Sequence, residues 1–172
     1  MKIAFYVGSH EKDSLSVRLG WMLVRLVQRG RFSNVTHVEC ILAEHEDGSV
    51  DIGSSSLRDG GVRVKYRVHL NHENWLIIDV PVFSTSNAVL WFNNHHGEKY
   101  DTLGAFASAF PFRLNSKNKW FCNEAVGAAA GLNSPEIFGP AQFASICATL
   151  GNLVFPKKEV KFSRGGVIWA IQ

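Results

Sequence analysis

Cys122 stands at a position where a cysteine can act as a nucleophile. It lies in residues 119–125, after a polar loop, at what the pattern predicts to be the start of a helix. A helix N-terminus carries a partial positive charge and free backbone N–H groups, and both favour the thiolate. The same N–H groups can hold the oxyanion that forms when a thiolate attacks a carbonyl. Glu124 in the first turn suits the helix dipole, and burial of Cys122 by Trp120 and Phe121 is the alternative interpretation.

A histidine and a carboxylate share one face of a predicted strand. Residues 35–43 are rich in β-branched and apolar types, which favours a strand. Because side chains alternate along a strand, His37 and Glu39 point to the same side. Burying two ionisable groups is costly unless they are partnered. Two interpretations stay open: an edge strand with this face in water, or a histidine oriented by a carboxylate, as nucleophilic catalysis requires.

The other two cysteines are predicted to be core residues. Cys40 falls on the opposite face of the strand from His37, and Cys147 lies within an apolar helical stretch. Three widely spaced cysteines form neither a disulfide framework nor a paired metal-ligand spacing. We therefore expect a reducing compartment, and neither a metal nor an organic cofactor.

The elements that must position these residues change in type along the chain. Hydrophobic periodicity and turn residues such as Asp47-Gly48 and Asp59-Gly60-Gly61 predict strands first and helices later. The predicted strands are 2–7, 35–43, 50–55, 62–68, a buried strand at 75–80 and a last strand at 166–171; the predicted helices are 13–30, 86–94, 101–110, 121–130 and 141–150. A strand-rich first half and a helix-rich second half predict the α+β class. At 172 residues we expect a single domain spanning 1–172.

Composition narrows the classes of function. The chain is 46% hydrophobic and 19% charged, which argues against disorder. Its formal net charge is +3, but the basic residues are scattered without interleaved aromatics, so no nucleic-acid partner is expected. No run approaches the roughly 20 apolar residues of a membrane span, and the N-terminal stretch lacks the apolar core of a signal peptide. These patterns predict a cytoplasmic protein without a transmembrane segment.

Taken together, the motifs resemble the circularly permuted branch of the NlpC-type papain-like cysteine hydrolases. The matching stretches are 36–39, 54–63, 97–104 and 120–124, and the resemblance covers most of the chain. It looks closest to small, uncharacterised proteins encoded by tailed phages and prophages. The order His, Tyr-Asp, Cys-x-Glu across one small domain is its most specific part.

The resemblance implies a helix that bears the nucleophile, packed on a small antiparallel sheet or barrel that bears the base. By position, Cys122 matches the nucleophile and His37 the base. For the third polar residue Glu39 is preferred because it shares a face with His37; Asp51 and Ser54, in the following strand, are the other choices. Tyr100 matches a family tyrosine that either lines the site or packs against the sheet. Asn123 replaces a serine common in the family, a change expected to be tolerated on a helix surface.

The function implied is hydrolysis of an amide through a thiol acyl-enzyme, without a cofactor. The phage-like resemblance suggests peptides of the cell wall as substrate, and action in the host cell or in a virion. Two alternatives remain. One is an ester or lipid acyl hydrolase, or an acyltransferase, using the same site. The other is a non-catalytic, virion-associated binding module that kept the fold.

Overall fold

The computed structural model describes residues 1–8, 32–107 and 118–154. Within them one mixed sheet curls into a half-barrel and carries the helices, an α+β arrangement. The strands are β1 (Lys2–Tyr6), β2 (His37–Glu44), β3 (Val50–Ser56), β4 (Gly61–Val68), β5 (Trp75–Asp79), β6 (Lys99–Tyr100), β7 (Lys119–Trp120) and β8 (Asn152–Val154). The α-helices are α1 (Thr85–Asn94), α2 (Thr102–Ala107), α3 (Cys122–Ala129) and α4 (Pro140–Leu150), with a short 3-10 helix at Pro135–Ile137.

Strand β2 lies inside the sheet. The strand order is β7-β6-β4-β3-β2-β1-β5-β8, and every neighbouring pair is antiparallel except β6 with β7. In β1, Ala4 stands opposite Glu39 and Tyr6 opposite His37, while β3 pairs with the other edge of β2. The interpretation of β2 as an edge strand with its polar face in water is therefore wrong.

The two faces of the sheet form separate apolar clusters. Alternation along β1 and β2 sends Phe5, Val38 and Cys40 to the face covered by helices, and Ala4 and Ile41 to the other. The helix-covered cluster also contains Val62, Ile78, Ala88, Phe92, Ala125, Val126, Phe143 and Cys147. Cys40 and Cys147 are fully buried, so their prediction as core residues is confirmed.

Gly61 allows β6 to approach β4. Its φ is +152°, and a Cβ at this position would lie 1.9 Å from the backbone oxygen of Glu98. That oxygen accepts a hydrogen bond from the N–H of Val62 at 2.8 Å, and the N–H of Tyr100 donates to the oxygen of Gly60 at 3.1 Å. Only a residue without a side chain fits here, and the contact carries Tyr100 to the edge of β4.

The predicted elements within the described residues are largely confirmed. Five strands and the helices at 86–94, 121–130 and 141–150 are found within one or two residues of their expected bounds. The third predicted helix begins at Thr102 and is described as far as Ala107; β5 is half-buried, not buried as expected. Strands β6, β7 and β8 and the 3-10 helix were not predicted. The predicted helix 13–30 and the last strand 166–171 lie outside the described residues.

Candidate active site

The candidate site lies at the end of the sheet where β2 begins and β3 ends. The two strands are antiparallel, with Cys40 opposite Gly53, so His37 and the last residues of β3 occupy the same end. Helix α3 packs against β2 and β3 and begins at Cys122. The hydroxyl of Ser55 donates to the backbone oxygen of Trp120 at 2.6 Å, which holds the start of α3 over β3. The base strand and the nucleophile helix therefore meet at one end of the sheet.

Local contacts define where α3 starts. Phe121 is extended, with φ −98° and ψ 170°, and its carbonyl accepts the helical hydrogen bond from the N–H of Ala125 at 3.0 Å. Glu124 reaches back, and its Oε2 accepts the N–H of Phe121 at 3.3 Å. This is the reciprocal contact expected from an acidic third residue of a helix. Glu124 thus serves the helix start.

Glu124 is a buried acid with an altered pKa. Burial raises the pKa of its carboxyl to about 7, against the hydrogen bond from Phe121, which lowers it. The nearby charges of Asp101 and Glu136 raise the pKa further. A carboxyl in this environment ionises near neutrality, so the group contributes a pH dependence of its own.

His37 and Glu39 form a direct pair. Nε2 of His37 lies 2.8 Å from Oε1 of Glu39, and the two side chains are 16% and 3% exposed. Trp75 stands edge-on to the imidazole, with ring centroids 6.4 Å apart. Burial alone would lower the pKa of His37. The charge of Glu39 and hydrogen bonds to Cys122 and Glu39 outweigh it and raise the pKa to about 9. The imidazole is therefore protonated at neutral pH.

Cys122 borders the same imidazole. Its thiol lies near enough to His37 to add to the rise of the histidine pKa. The side chain is buried, with Sγ also 3.9 Å from Oδ1 of Asn123. Asn123 itself is buried and donates through Nδ2 to the backbone oxygen of Phe138. The expectation that Asn123 lies on a helix surface is therefore wrong: it ties the helix start to the segment before α4.

Arg63 also pairs with Glu39, a contact that the sequence did not predict. One terminal nitrogen of Arg63 lies 2.7 Å from Oε2 of Glu39, and the other donates to Oε1. Burial would raise the pKa of Glu39, but Arg63 and His37 outweigh it and lower the pKa to about 2. The signal available in the sequence was the alternation of β4, which directs Arg63 to one face, but only the strand register shows which acid it meets.

The remaining candidates separate into near and distant residues. Tyr100 is half-buried beside Cys122; its partial burial and the nearby charges of Cys122 and Asp101 raise its phenol pKa well above the usual value. The hydroxyl of Ser54 donates to the backbone oxygen of Val38 at 2.6 Å and so stabilises the sheet. Asp51 accepts from Nε2 of His45 at 2.8 Å, near the opposite end of β3. Of the three choices for the third residue, the structure brings only Glu39 to His37.

The described residues hold no group of three or more His, Cys, Asp or Glu side chains arranged to bind a metal. Across the same ranges, no helix is both long and apolar enough to cross a membrane. The site brings together a thiol, an imidazole and a carboxylate, with the imidazole between the other two. This is the set needed for nucleophilic catalysis at a carbonyl.

Comparison of the chain with protein-family models, curated proteins and solved structures found no match. The class of the protein is therefore defined by its own geometry: an α+β fold with a helix-start cysteine beside a carboxylate-paired histidine.

Proposed function

We propose that this protein is a cysteine-dependent hydrolase that cleaves an amide through an acyl-enzyme on Cys122. One observation supports this above all: a single imidazole, that of His37, pairs with a buried carboxylate and lies near the helix-start thiol. Separately, each residue has a structural explanation. Together they occupy the roles of nucleophile, base and orienting acid.

In the first half-reaction Cys122 reacts as the thiolate, and His37 is the imidazolium that has taken up its proton. Since Nε2 of His37 is engaged by Glu39, Nδ1 is the nitrogen available to the thiol. The thiolate attacks the carbonyl carbon, a C–S bond forms, and the carbonyl π electrons move to oxygen. Backbone N–H groups in the first turn of α3 are not used by the helix, and they stabilise this oxyanion. The C–N bond then breaks, and the departing nitrogen takes the proton from His37.

The second half-reaction regenerates the thiol. His37 removes a proton from water, and the resulting hydroxide attacks the thioester carbonyl. Collapse of the second oxyanion breaks the C–S bond, releases the carboxylic acid and returns the proton to Cys122. Glu39 stays ionised throughout, keeps the imidazole in place and stabilises its protonated form. Its low pKa, about 2, suits this role.

The first test is the rate at which iodoacetamide alkylates Cys122, measured against pH by peptide mass spectrometry. The wild type is compared with His37→Ala and, as a control, with the exposed His72→Ala. We expect rapid alkylation at pH 6 to 7 that is lost in His37→Ala and kept in His72→Ala. Alkylation that rises only near pH 8.5, the value of an ordinary thiol, and ignores His37 would contradict the catalytic pair.

The substrate class needs a second experiment. The proposal is an amide within a cell-wall peptide, and the enzyme would be incubated with muropeptides and with short acyl esters, with Cys122→Ser as the blank. Release of new amino groups from muropeptides supports the amidase. Hydrolysis of esters alone would favour the ester hydrolase or acyltransferase, which use the same residues and differ in the acceptor. A reactive Cys122 that turns over neither set would favour a binding module.

A further inference from the structure

Arg63 is a partly buried cation to which the proposed mechanism assigns no role. Its two terminal nitrogens donate to the two oxygens of Glu39, so one guanidinium meets the whole carboxylate. The side chains are 11% and 3% exposed. A planar guanidinium paired in this two-point manner constrains both the position and the orientation of the carboxylate.

A second acid, Asp59, also pairs with Arg63. Nε of Arg63 donates to Oδ2 of Asp59 at 2.8 Å, and Nζ of Lys65 lies 2.8 Å from the same oxygen. Burial would raise the pKa of Asp59, but hydrogen bonds from Lys65 and Arg63 outweigh it and lower the pKa to about 2. Asp59 belongs to the turn between β3 and β4. The guanidinium is therefore fixed from two sides, by the turn and by β2.

The pair of Arg63 and Glu39 is connected to His37 through one shared carboxylate oxygen. Oε1 of Glu39 accepts from both Arg63 and Nε2 of His37. Without Arg63, Oε2 of Glu39 would lose the hydrogen bond that satisfies it in a buried position, and the carboxylate would turn toward water. Oε1 would then stop holding the imidazole, although the hydrogen bonds of Arg63 are to Glu39 and Asp59.

We propose that Arg63 is a positioning residue of this site, which fixes the carboxylate of Glu39 and, through it, the imidazole that faces Cys122. The inference rests on the proposed function. It also adds Asp59 as the residue that anchors Arg63. The chain of contacts runs from the β3–β4 turn to the nucleophile: Asp59, Arg63, Glu39, His37, Cys122.

The test compares Arg63→Gln, Arg63→Lys and Asp59→Asn with Arg67→Gln. Arg67 is a matched control, since it lies on the same strand and pairs with Asp47 at 3.2 Å, but is 65% exposed. Two quantities are measured in the folded proteins: the NMR titration of the His37 ring and the pH profile of Cys122 alkylation.

Arg63→Gln should move the His37 titration to lower pH, because the carboxylate that contacts the imidazole and raises its pKa is no longer held in place, and it should slow alkylation of Cys122 at pH 7. Arg63→Lys keeps the charge but not the two-point contact, so it should recover part of the loss. Asp59→Asn should give a smaller shift in the same direction, and Arg67→Gln none.

A purely structural role would lower the melting temperature of the Arg63 variants without moving the His37 titration, and that result overturns the inference. If Arg63→Gln does not fold, Arg63→Lys and Asp59→Asn decide, and behaviour equal to Arg67→Gln overturns it. A wild-type Cys122 that ignores His37 is a different outcome. It would refute the proposed function, while the His37 titration would still decide whether Arg63 positions Glu39.

Discussion

Nε2 of His37 and Oε1 of Glu39 lie 2.8 Å apart although both residues belong to one strand and are separated by a single residue. Strand geometry provides this: positions i and i+2 project from the same face. The orientation of the base is therefore set locally, within β2. The nucleophile and the cation come from distant parts of the chain, and their approach depends on the whole sheet. Strand β2 alone therefore places His37 beside Glu39, and the rest of the site depends on tertiary structure.

Glu39→Gln is expected to remove the charge that stabilises the His37 imidazolium. The amide keeps the shape and one hydrogen bond, but burial then acts on His37 without the opposing carboxylate, so the pKa should fall from about 9 toward or below the ordinary value. Alkylation of Cys122 at pH 7 should slow by about tenfold or more. Glu44→Gln, on the same strand, exposed and paired with Lys2, is the control and should change neither quantity. An unchanged His37 titration in Glu39→Gln would contradict the pairing.

The three cysteines should differ sharply in reactivity in the native state. Burial raises the thiol pKa of Cys40 to about 12, with the charge of Glu39 adding to the rise, and burial raises that of Cys147 to about 12. At pH 7.5 iodoacetamide should therefore modify Cys122 and leave Cys40 and Cys147 untouched. All three should react once the protein is unfolded in urea. Mass spectrometry of the peptides measures this directly, and native labelling of Cys40 at the rate of Cys122 would show the distinction to be wrong.

Much of the sheet was predictable because turn residues mark its hairpins. Asp47-Gly48 and Asp59-Gly60-Gly61 bound β3, and alternation within β2 was enough to place His37 and Glu39 on one face. The burial of that face was not predictable, because it depends on β1 and β3 pairing on either side of β2. A strand's own sequence carries no information on which strands will flank it.

The missed strands have a simple physical reason. Strands β6 and β7 are two residues each, too short to show any periodicity. They exist because Gly61 admits the backbone of Glu98 and because Trp120 pairs with Tyr100 across a long sequence separation. The contact of Arg63 with Glu39 was missed for a related reason: it spans 24 positions in sequence and follows from register alone.

Gly61→Ala should be far more damaging than Gly60→Ala. Both glycines have positive φ, +152° and +82°, but a Cβ at Gly60 would meet nothing within 4 Å. Gly60→Ala should therefore cost about 1 kcal/mol of unfolding free energy, for the backbone conformation alone. Gly61→Ala also drives a methyl group into the backbone of Glu98, which should cost about 3 kcal/mol more. Urea unfolding measures both, and equal losses would show that the contact between β4 and β6 yields easily.

The same substitution should affect the site. Separation of β6 from β4 would displace Tyr100, whose N–H donates to Gly60, and the paired Trp120, which precedes Cys122 by two residues. Alkylation of Cys122 in folded Gly61→Ala should then lose part of its dependence on His37. Gly60→Ala leaves the contact with Glu98 intact and should keep that dependence.

The stability that the His37–Glu39 pair contributes should fall on both sides of a slightly acidic optimum. The pKa of Glu39 is lowered from 4.5 to about 2, so its contribution is present above pH 4.5 and is lost as pH falls through 2. The pKa of His37 is raised from 6.5 to about 9, so its contribution is present below pH 6.5 and is lost as pH rises through 9. The full contribution of the pair is therefore expected between about pH 4.5 and 6.5.

The alkaline limb can be assigned by substitution. The shift of His37 corresponds to about 3 kcal/mol, shared with Glu39 because the two groups titrate as a pair. His37→Gln should flatten the fall in unfolding free energy between pH 6.5 and 9, whereas the exposed His72→Gln should keep it. Glu124 acts over a lower pH range than His37. Its pKa is raised from 4.5 to about 7, so its contribution is present below pH 4.5 and is lost as pH rises through 7. Glu124→Gln should therefore flatten the fall in unfolding free energy only between pH 4.5 and 7. Urea unfolding followed by tryptophan fluorescence between pH 4.5 and 9.5 separates the contributions of Glu124 and His37. If the unfolding free energy falls with the same slope above pH 6.5 in wild type and His37→Gln, the assignment to His37 is wrong.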